Sequence, residues 1–276
     1  MSLVTLSEVL LPARDKGYAL AGVVVLGWED ARAYVRAAEA ENLPVILQAG
    51  PGCRAHTPLP VLAAMFKALA EVASVPVVAH LDHGTALDEC QAAIACGFTS
   101  VMFDGSRLPL EQNIAETRAV AEMAHAAGVS CEGEIGFVGY ASGEASARTS
   151  AADAARFASQ TGVDAMAVSV GNVHLQTEQA ATIDVDAVRA IQAATNVPLV
   201  IHGGSGVPGQ MRQFLAHNTN VCKFNIGTEL RMVFGAALRQ SLTAAPEQFD
   251  RIALLKAVEA PITEATRPIL REIGPA

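Results

Sequence analysis

A chain of 276 residues, 51% hydrophobic and 17% charged with no long polar tract, is long enough to bury a full core in one domain. Its net charge of −9, with no basic stripe or aromatic platform, argues against nucleic-acid binding. No run of about 18 uninterrupted apolar residues is present, which argues against a membrane partner. The start, MSLVTLSEVLLPARDKG, lacks a basic opening and soon becomes charged, unlike a signal peptide. Cys53, Cys90, Cys96, Cys131 and Cys222 are scattered, odd in number and without CxxC spacing. That usage fits buried thiols in a reducing cytoplasm, with Cys222 in the core.

Thr5 to Lys16 predicts a short amphipathic helix closed by Gly17. A strand follows at Ala19 to Gly27, then an Ala- and Glu-rich helix from Trp28 to Asn42. Strand Pro44 to Gln48 precedes a helix N-capped by Thr57, with Pro58 at its first position. Strand Pro76 to Leu81 precedes a helix from Thr85, where Asp88 three residues on resembles a capping box. Strand Thr99 to Phe103 leads to the helix Leu110 to Ala127. Strand Val129 to Glu134 leads through a long Gly/Ser/Ala-rich loop, Gly136 to Ser150, to the helix Ala151 to Thr161. Strand Asp164 to Val170 precedes the helix Asp184 to Thr195, and strand Val197 to His202 the helix Gly209 to His217. Strand Asn220 to Asn225 precedes a helical region from Thr228 to Ile273, in two or three pieces. Pro246, Pro261 and Pro268 are expected to break it or start new pieces.

Eight apolar β runs, each followed by a helix at even spacing, predict a single-domain TIM (β/α)8 barrel spanning residues 1–276. No GxGxxG follows the first strand, which disfavours an open doubly wound sheet. In a barrel the site is built from the loops after the strands. Polar groups collect there: HLDHG (His80 to Gly84), FDGS (Phe103 to Ser106), EGE (Glu132 to Glu134), GNVH (Gly171 to His174), HGGSG (His202 to Gly206) and FNIGT (Phe224 to Thr228). Such clustering at one rim points to a metal-dependent enzyme.

His83, His174 and His202 each lie just past a strand end. Three imidazoles suit Zn²⁺ and leave a position for a substrate oxygen or water, unless one of them only hydrogen-bonds. Asp82 is a ligand, an orienter of a histidine, or a general acid/base. Because neighbours in an extended chain point opposite ways, the last role is favoured. Asp104, Glu132 and Glu134 form an acidic wall that reads equally as a second cation site or as support for the histidines. His80 reads as a supporting or core group, and His56, His125 and His217 as surface groups. Gly203, Gly204, Ser205 and Gly206, with Asn225, Gly227 and Thr228, occupy the loops after strands seven and eight, a common phosphate site in TIM barrels. With a negative global charge, a phosphate must be held by local amides and a metal.

Together these motifs resemble the class II, zinc-dependent ketose-bisphosphate aldolases, the family of fructose- and tagatose-bisphosphate aldolases. HLDHG, the DGS after strand four, EGEIG, TGVDAMAV followed by GNVH, HGGSG and NIGTEL occur in that family's order along most of the chain. The resemblance implies that His83, His174 and His202 hold zinc and that Asp82 is the general acid/base. It implies that Gly203, Ser205, Asn225 and Thr228 contact the dihydroxyacetone phosphate end, and that Asp104 and Glu134 lie by a second or alternate position for a divalent or monovalent cation. The expected substrate is a phosphorylated ketose, and the expected assembly a homodimer or homotetramer in the cytoplasm. Glu144, in the Gly136 to Ser150 loop, is the candidate for a further acid/base. Several positions depart from the family pattern: Ala21 to Val25, where a Phe–Asn pair is usual; Gly50, where a serine is usual; Leu175, where a glycine is usual; and the loop sequence GYASGEAS. All lie on the substrate side. The alternatives are a metal-dependent hydrolase on the same barrel, a Schiff-base enzyme using Lys223, or a member with altered substrate or lost turnover.

Overall fold

The computed structural model describes residues 3–275. Eight parallel strands pair in chain order: β1 (Leu20–Val24), β2 (Val45–Ala49), β3 (Val77–Gly84), β4 (Ser100–Phe103), β5 (Ser130–Ile135), β6 (Ala165–Val168), β7 (Leu199–Ile201) and β8 (Val221–Ile226). β8 returns to pair with β1, so the sheet closes and no edge is left open. This is the TIM (β/α)8 barrel that the eight repeats predict. The strands are buried on both faces, which is why they read as near-continuous apolar runs rather than alternating ones.

One end of the barrel is sealed by α1 (Leu6–Lys16). It starts with a complete Thr5/Glu8 capping box and ends at Gly17, which takes φ 70°. Leu6, Val9, Leu10 and Ala13 pack on the interior residues Leu20, Ile46, Val78, Ala167 and Val200. Function is thereby confined to the opposite, C-terminal rim. The outer ring begins with α2 (Trp28–Glu41), α3 (Pro51–His56) and α4 (Leu59–Val72). It continues with α5 (Leu87–Cys96), α6 (Leu110–Ala126), α7 (Ala151–Thr161), α8 (Val185–Ala194) and α9 (Gly209–Asn218), then α10 (Thr228–Ala244) and α11 (Arg251–Ile273).

Three expectations at helix ends are corrected. Thr57 does not cap α4; it closes the short helix α3, and Pro58 occupies the cap position of α4. Thr85 and Asp88 form no capping box, because α5 begins at Leu87 and the Thr85 N–H donates to Glu89 Oε2 at 3.1 Å. The C-terminal region breaks once, around Pro246, while Pro261 and Pro268 lie inside α11. Packing outweighs their helix-breaking tendency. Ile262 and Ile269 are buried, Glu259 pairs with Arg32 and with Arg36 of α2, and the Thr263 hydroxyl donates to the Ala33 carbonyl at 3.2 Å.

Candidate active site

The site is organised by an irregular end of β3. Register with β4 slips between Leu81 and Gly84, and His83 takes the left-handed φ of 53°. The strand is therefore not extended there, and both Asp82 and His83 reach the cavity at the barrel mouth. Arg54, on α3, holds this shape. Its guanidinium donates to the carbonyls of Ala49 at 2.5 Å, Asp82 at 2.6 Å and His83 at 3.1 Å, and pairs with Glu89 at 2.8 Å. Nothing in the sequence pattern singled Arg54 out, because α3 was not expected.

Asp82 is 5% exposed. Its Oδ1 accepts from Gln48 Nε2 at 2.9 Å and from Asn225 Nδ2 at 3.2 Å. Its Oδ2 points toward Gly50, where a Cβ would lie 3.4 Å away. Burial would raise its pKa, but His83, His202 and Lys223 outweigh that and hold it below the ordinary value. Gly22 on β1 makes this possible. A Cβ there would meet Gln48 Oε1 at 2.4 Å and Lys223 Cε at 2.9 Å, displacing the group that orients Asp82.

His83, His174 and His202 come together, each offering a ring nitrogen, with the three atoms all within 4.8 Å of one another. His83 Nδ1 meets Asp104 Oδ2 at 2.7 Å, which fixes that ring by the usual carboxylate–histidine pairing. Burial opposes protonation of His83, yet Asp82 and Asp104 raise its pKa. His174 stacks on Tyr140 at 5.0 Å, and burial with the neighbouring His202 and His83 pulls it down to about 3. His202 is fully buried, with Nε2 3.1 Å from Glu132 Oε1. Burial opposes its charge, but Glu134 and Glu132 push it up to about 10.

In the neutral tautomer whose Nε2–H donates to Glu132, the form a bound cation would hold, His202 offers a lone pair on Nδ1. That atom and Glu134 Oε2 face each other at 3.2 Å, both buried and both without a hydrogen-bond partner among the described residues. A cation would satisfy them, so the donor set fits a metal. His83, Asp104 and Glu134 form a second such cluster. Beneath them, Lys223 Nζ donates to Glu132 Oε2 at 2.7 Å, and both residues are fully buried. A lysine tied to a buried carboxylate is structural, and this disfavours the Schiff-base alternative.

The glycine-rich loops adjoin this cluster. Gly203 has φ 64°, and a Cβ there would meet the Val173 carbonyl at 2.2 Å. A single 3₁₀ turn, Gly204–Gly206, follows. The Ser205 hydroxyl oxygen accepts the N–H groups of Gly227 at 3.1 Å and Glu229 at 3.3 Å, tying the turn to the N-terminus of α10. Buried Arg212 braces both loops, donating to the Gly204 carbonyl at 3.4 Å and pairing with Glu229 at 2.6 Å, while Glu272 of α11 holds it at 2.9 Å.

A cavity of about 440 Å³ joins these parts. Asp82, His83, His174 and Asp104 line it, as do Gly203, Ser205, Asn225, Gly227 and Thr228. Gly204, His202 and Glu134 are buried behind that surface. Glu144 is not brought in: it is exposed and pairs with Arg107 at 2.7 Å. Its loop is held as a small hairpin, Tyr140 N–H to the Glu144 carbonyl, and is tethered to His174 through Gly139 and Ala141. His80 sits in the core with Ser100, 2.8 Å away; His56 and His125 are exposed, and His217 is part-buried.

Residues 4–276 match the family described as fructose-bisphosphate aldolase class-II. A probable fructose-bisphosphate aldolase of Bacillus subtilis is 35% identical, across 99% of this chain and 98% of the relative. A 6-phospho-5-dehydro-2-deoxy-D-gluconate aldolase of Shouchella clausii is 34% identical, across 100% of this chain and 96% of the relative. The crystal structure of the YdjI aldolase from Escherichia coli superposes with a TM-score of 0.85 at 27% identity, covering 99% of this chain and 98% of that one. The chain therefore belongs to the class-II fructose-bisphosphate aldolase family and is a carbon–carbon lyase.

Proposed function

We propose that the chain catalyses zinc-dependent, reversible aldol cleavage of a phosphorylated ketose, a ketose 1,6-bisphosphate or a relative of one, to dihydroxyacetone phosphate and an aldehyde. One observation carries this reading. A buried carboxylate and two of three converging imidazoles line one cavity, with the third buried behind it, beside two loops suited to a phosphate. His83, His174 and His202 would hold the zinc, and Asp104 and Glu134 with His83 a second or alternate cation. Bound there, the ion supplies Lewis-acid stabilisation for the negative charge that develops on the substrate oxygens as the carbon–carbon bond breaks.

The rest falls to the chain's own groups. Asp82 takes the proton of the C4 hydroxyl on cleavage and returns it on condensation. Gln48 and Asn225 both donate to Oδ1, which leaves Oδ2 for that proton. Gly203, Gly204, Ser205, Asn225, Gly227 and Thr228 hold the phosphate by amides and hydroxyls, helped by the positive end of α10. Glu144 is the proposed second acid/base, serving once its loop carries it inward from Arg107.

Five free thiols support a cytoplasmic setting, and no helix of the described residues is long and apolar enough to cross a membrane. Phe249, 94% exposed, lies just before α11, Ile252, 75% exposed, lies in its first turn, and Met232 is exposed on α10. Such an apolar surface supports a homodimer or homotetramer.

The reading is tested by retro-aldol assay across a panel of ketose phosphates, before and after chelation. Activity should vanish with the chelator and return with added Zn²⁺. Turnover untouched by complete metal removal contradicts it.

A further inference from the structure

The cavity is chemically lopsided. Its β7–β8 side carries Ser205, Asn225 and Thr228. Its β1–β2 side carries Val24, Leu26, Pro51 and Cys53, with Leu175 at the mouth. None of these offers a hydroxyl, amide or carboxylate side chain to a ligand, and the Cys53 thiol is kept protonated, its pKa pushed by burial to about 11. Leu175 holds φ 58°, a left-handed conformation that a branched side chain disfavours. It is also 50% exposed.

One charge stands on this apolar side. Arg231, one turn into α10, lines the cavity, and its Nε is closed to solvent and without a hydrogen-bond partner among the described residues. Nε lies 3.9 Å from where a Gly227 Cβ would be, a spot that Val24 Cγ2 approaches to 3.0 Å. Arg231 therefore sits beside β1. It also reaches a smaller side cavity lined by Leu26, Glu29, Asp30 and Tyr34.

We infer that the aldehyde half of the substrate is a short, unhydroxylated chain ending in one anionic group, a carboxylate or a phosphate, with Arg231 as the partner of that anion. This rests on the aldolase reading and on the phosphate loops holding the other half. A hydroxyl pressed against Val24 or Leu26 would lose its water without gaining a partner, whereas a methylene would gain by burial. A guanidinium fork suits either oxyanion.

Condensation gives the test, because the aldehyde is varied while dihydroxyacetone phosphate is held constant. C3 of dihydroxyacetone phosphate gives up a proton and bonds to the aldehyde carbon, whose oxygen gains a proton, so no other reactant is needed. The zinc-loaded enzyme is offered 3-oxopropanoate, 3-oxopropyl phosphate, glyceraldehyde 3-phosphate and propanal. The better of the first two identifies the anion. Each should exceed propanal, and 3-oxopropyl phosphate should exceed its hydroxylated counterpart, glyceraldehyde 3-phosphate, about tenfold or more in kcat/KM. Arg231→Gln should lower kcat/KM for the anionic, unhydroxylated aldehydes about 10- to 100-fold, with propanal and the Kd for dihydroxyacetone phosphate unchanged. Arg231→Lys should recover part of the loss. The inference is overturned if glyceraldehyde 3-phosphate outruns its deoxy analogue, if Arg231→Gln slows all four alike, or if it weakens dihydroxyacetone phosphate itself. Wild-type enzyme that binds zinc yet neither binds dihydroxyacetone phosphate nor joins it to any aldehyde overturns the aldolase reading, and this inference with it.

Discussion

Single residues carry the chemistry, and their types and positions were legible where the residue itself reacts. His83, His174, His202 and Asp82 stand at the ends of apolar runs, so the barrel frame alone gathers them. Residues that act through others were not legible. Gly22 reads as an ordinary strand glycine until a Cβ there is seen to strike Gln48, the donor to Asp82. Asp30 reads as a helix-start carboxylate. It accepts the Leu26 N–H at 2.6 Å and the Gly27 N–H at 2.9 Å, but burial wins and raises its pKa from 3.8 to about 6. Between these values the folded state keeps a proton that the unfolded state releases. Stability therefore falls as pH rises through that window, by roughly 1–3 kcal/mol from this group. Asp30→Asn removes the titration. Urea midpoints at pH 4.5 and pH 7 should show that the wild type loses more stability on going to the higher pH than the variant does. Equal changes in the two proteins contradict this account of Asp30.

At the scale of elements, the alternation of apolar runs and amphipathic stretches made all eight strands and most helices readable, because each strand is buried on both faces. The misreadings have physical causes. Pro261 and Pro268 are breakers by local rule, yet α11 is held by Glu259, Ile262 and Ile269 against its neighbours. The six residues of α3 are too short to show periodicity. That helix matters, because Arg54 on it joins the ends of β2 and β3 to the first turn of α5 and supports the left-handed His83. Alternation in an extended strand would have sent Asp82 and His83 to opposite sides, and this clamp helps maintain the departure from it. Arg54→Gln should reduce zinc affinity about 10- to 100-fold, the usual cost of losing a group that orients a ligand. Arg54→Lys should retain part of it. Titration against a chromophoric chelator reads the affinity, and a value unchanged in a folded Arg54→Gln protein contradicts the clamp.

The whole molecule assigns its two ends different duties. α1 closes one end with apolar side chains, and the other end collects every group in the proposed reaction. That division follows from the barrel, in which chemistry resides on loops after the strands and stability resides beneath them. Of the departures, Val24, Gly50 and Leu175 line the cavity, and the three histidines converge at the same end of the barrel. The proposed metal site and the acid/base Asp82 are therefore separable. The most direct measurement uses wild type and Asp82→Ala, each assayed on one preparation for zinc per chain and for release of dihydroxyacetone phosphate from ketose phosphates. Both proteins should carry zinc, and the variant should turn over about 10²- to 10⁴-fold more slowly. Wild type without a divalent ion and without retro-aldol activity on addition of Zn²⁺, or a variant as active as wild type, would contradict the account.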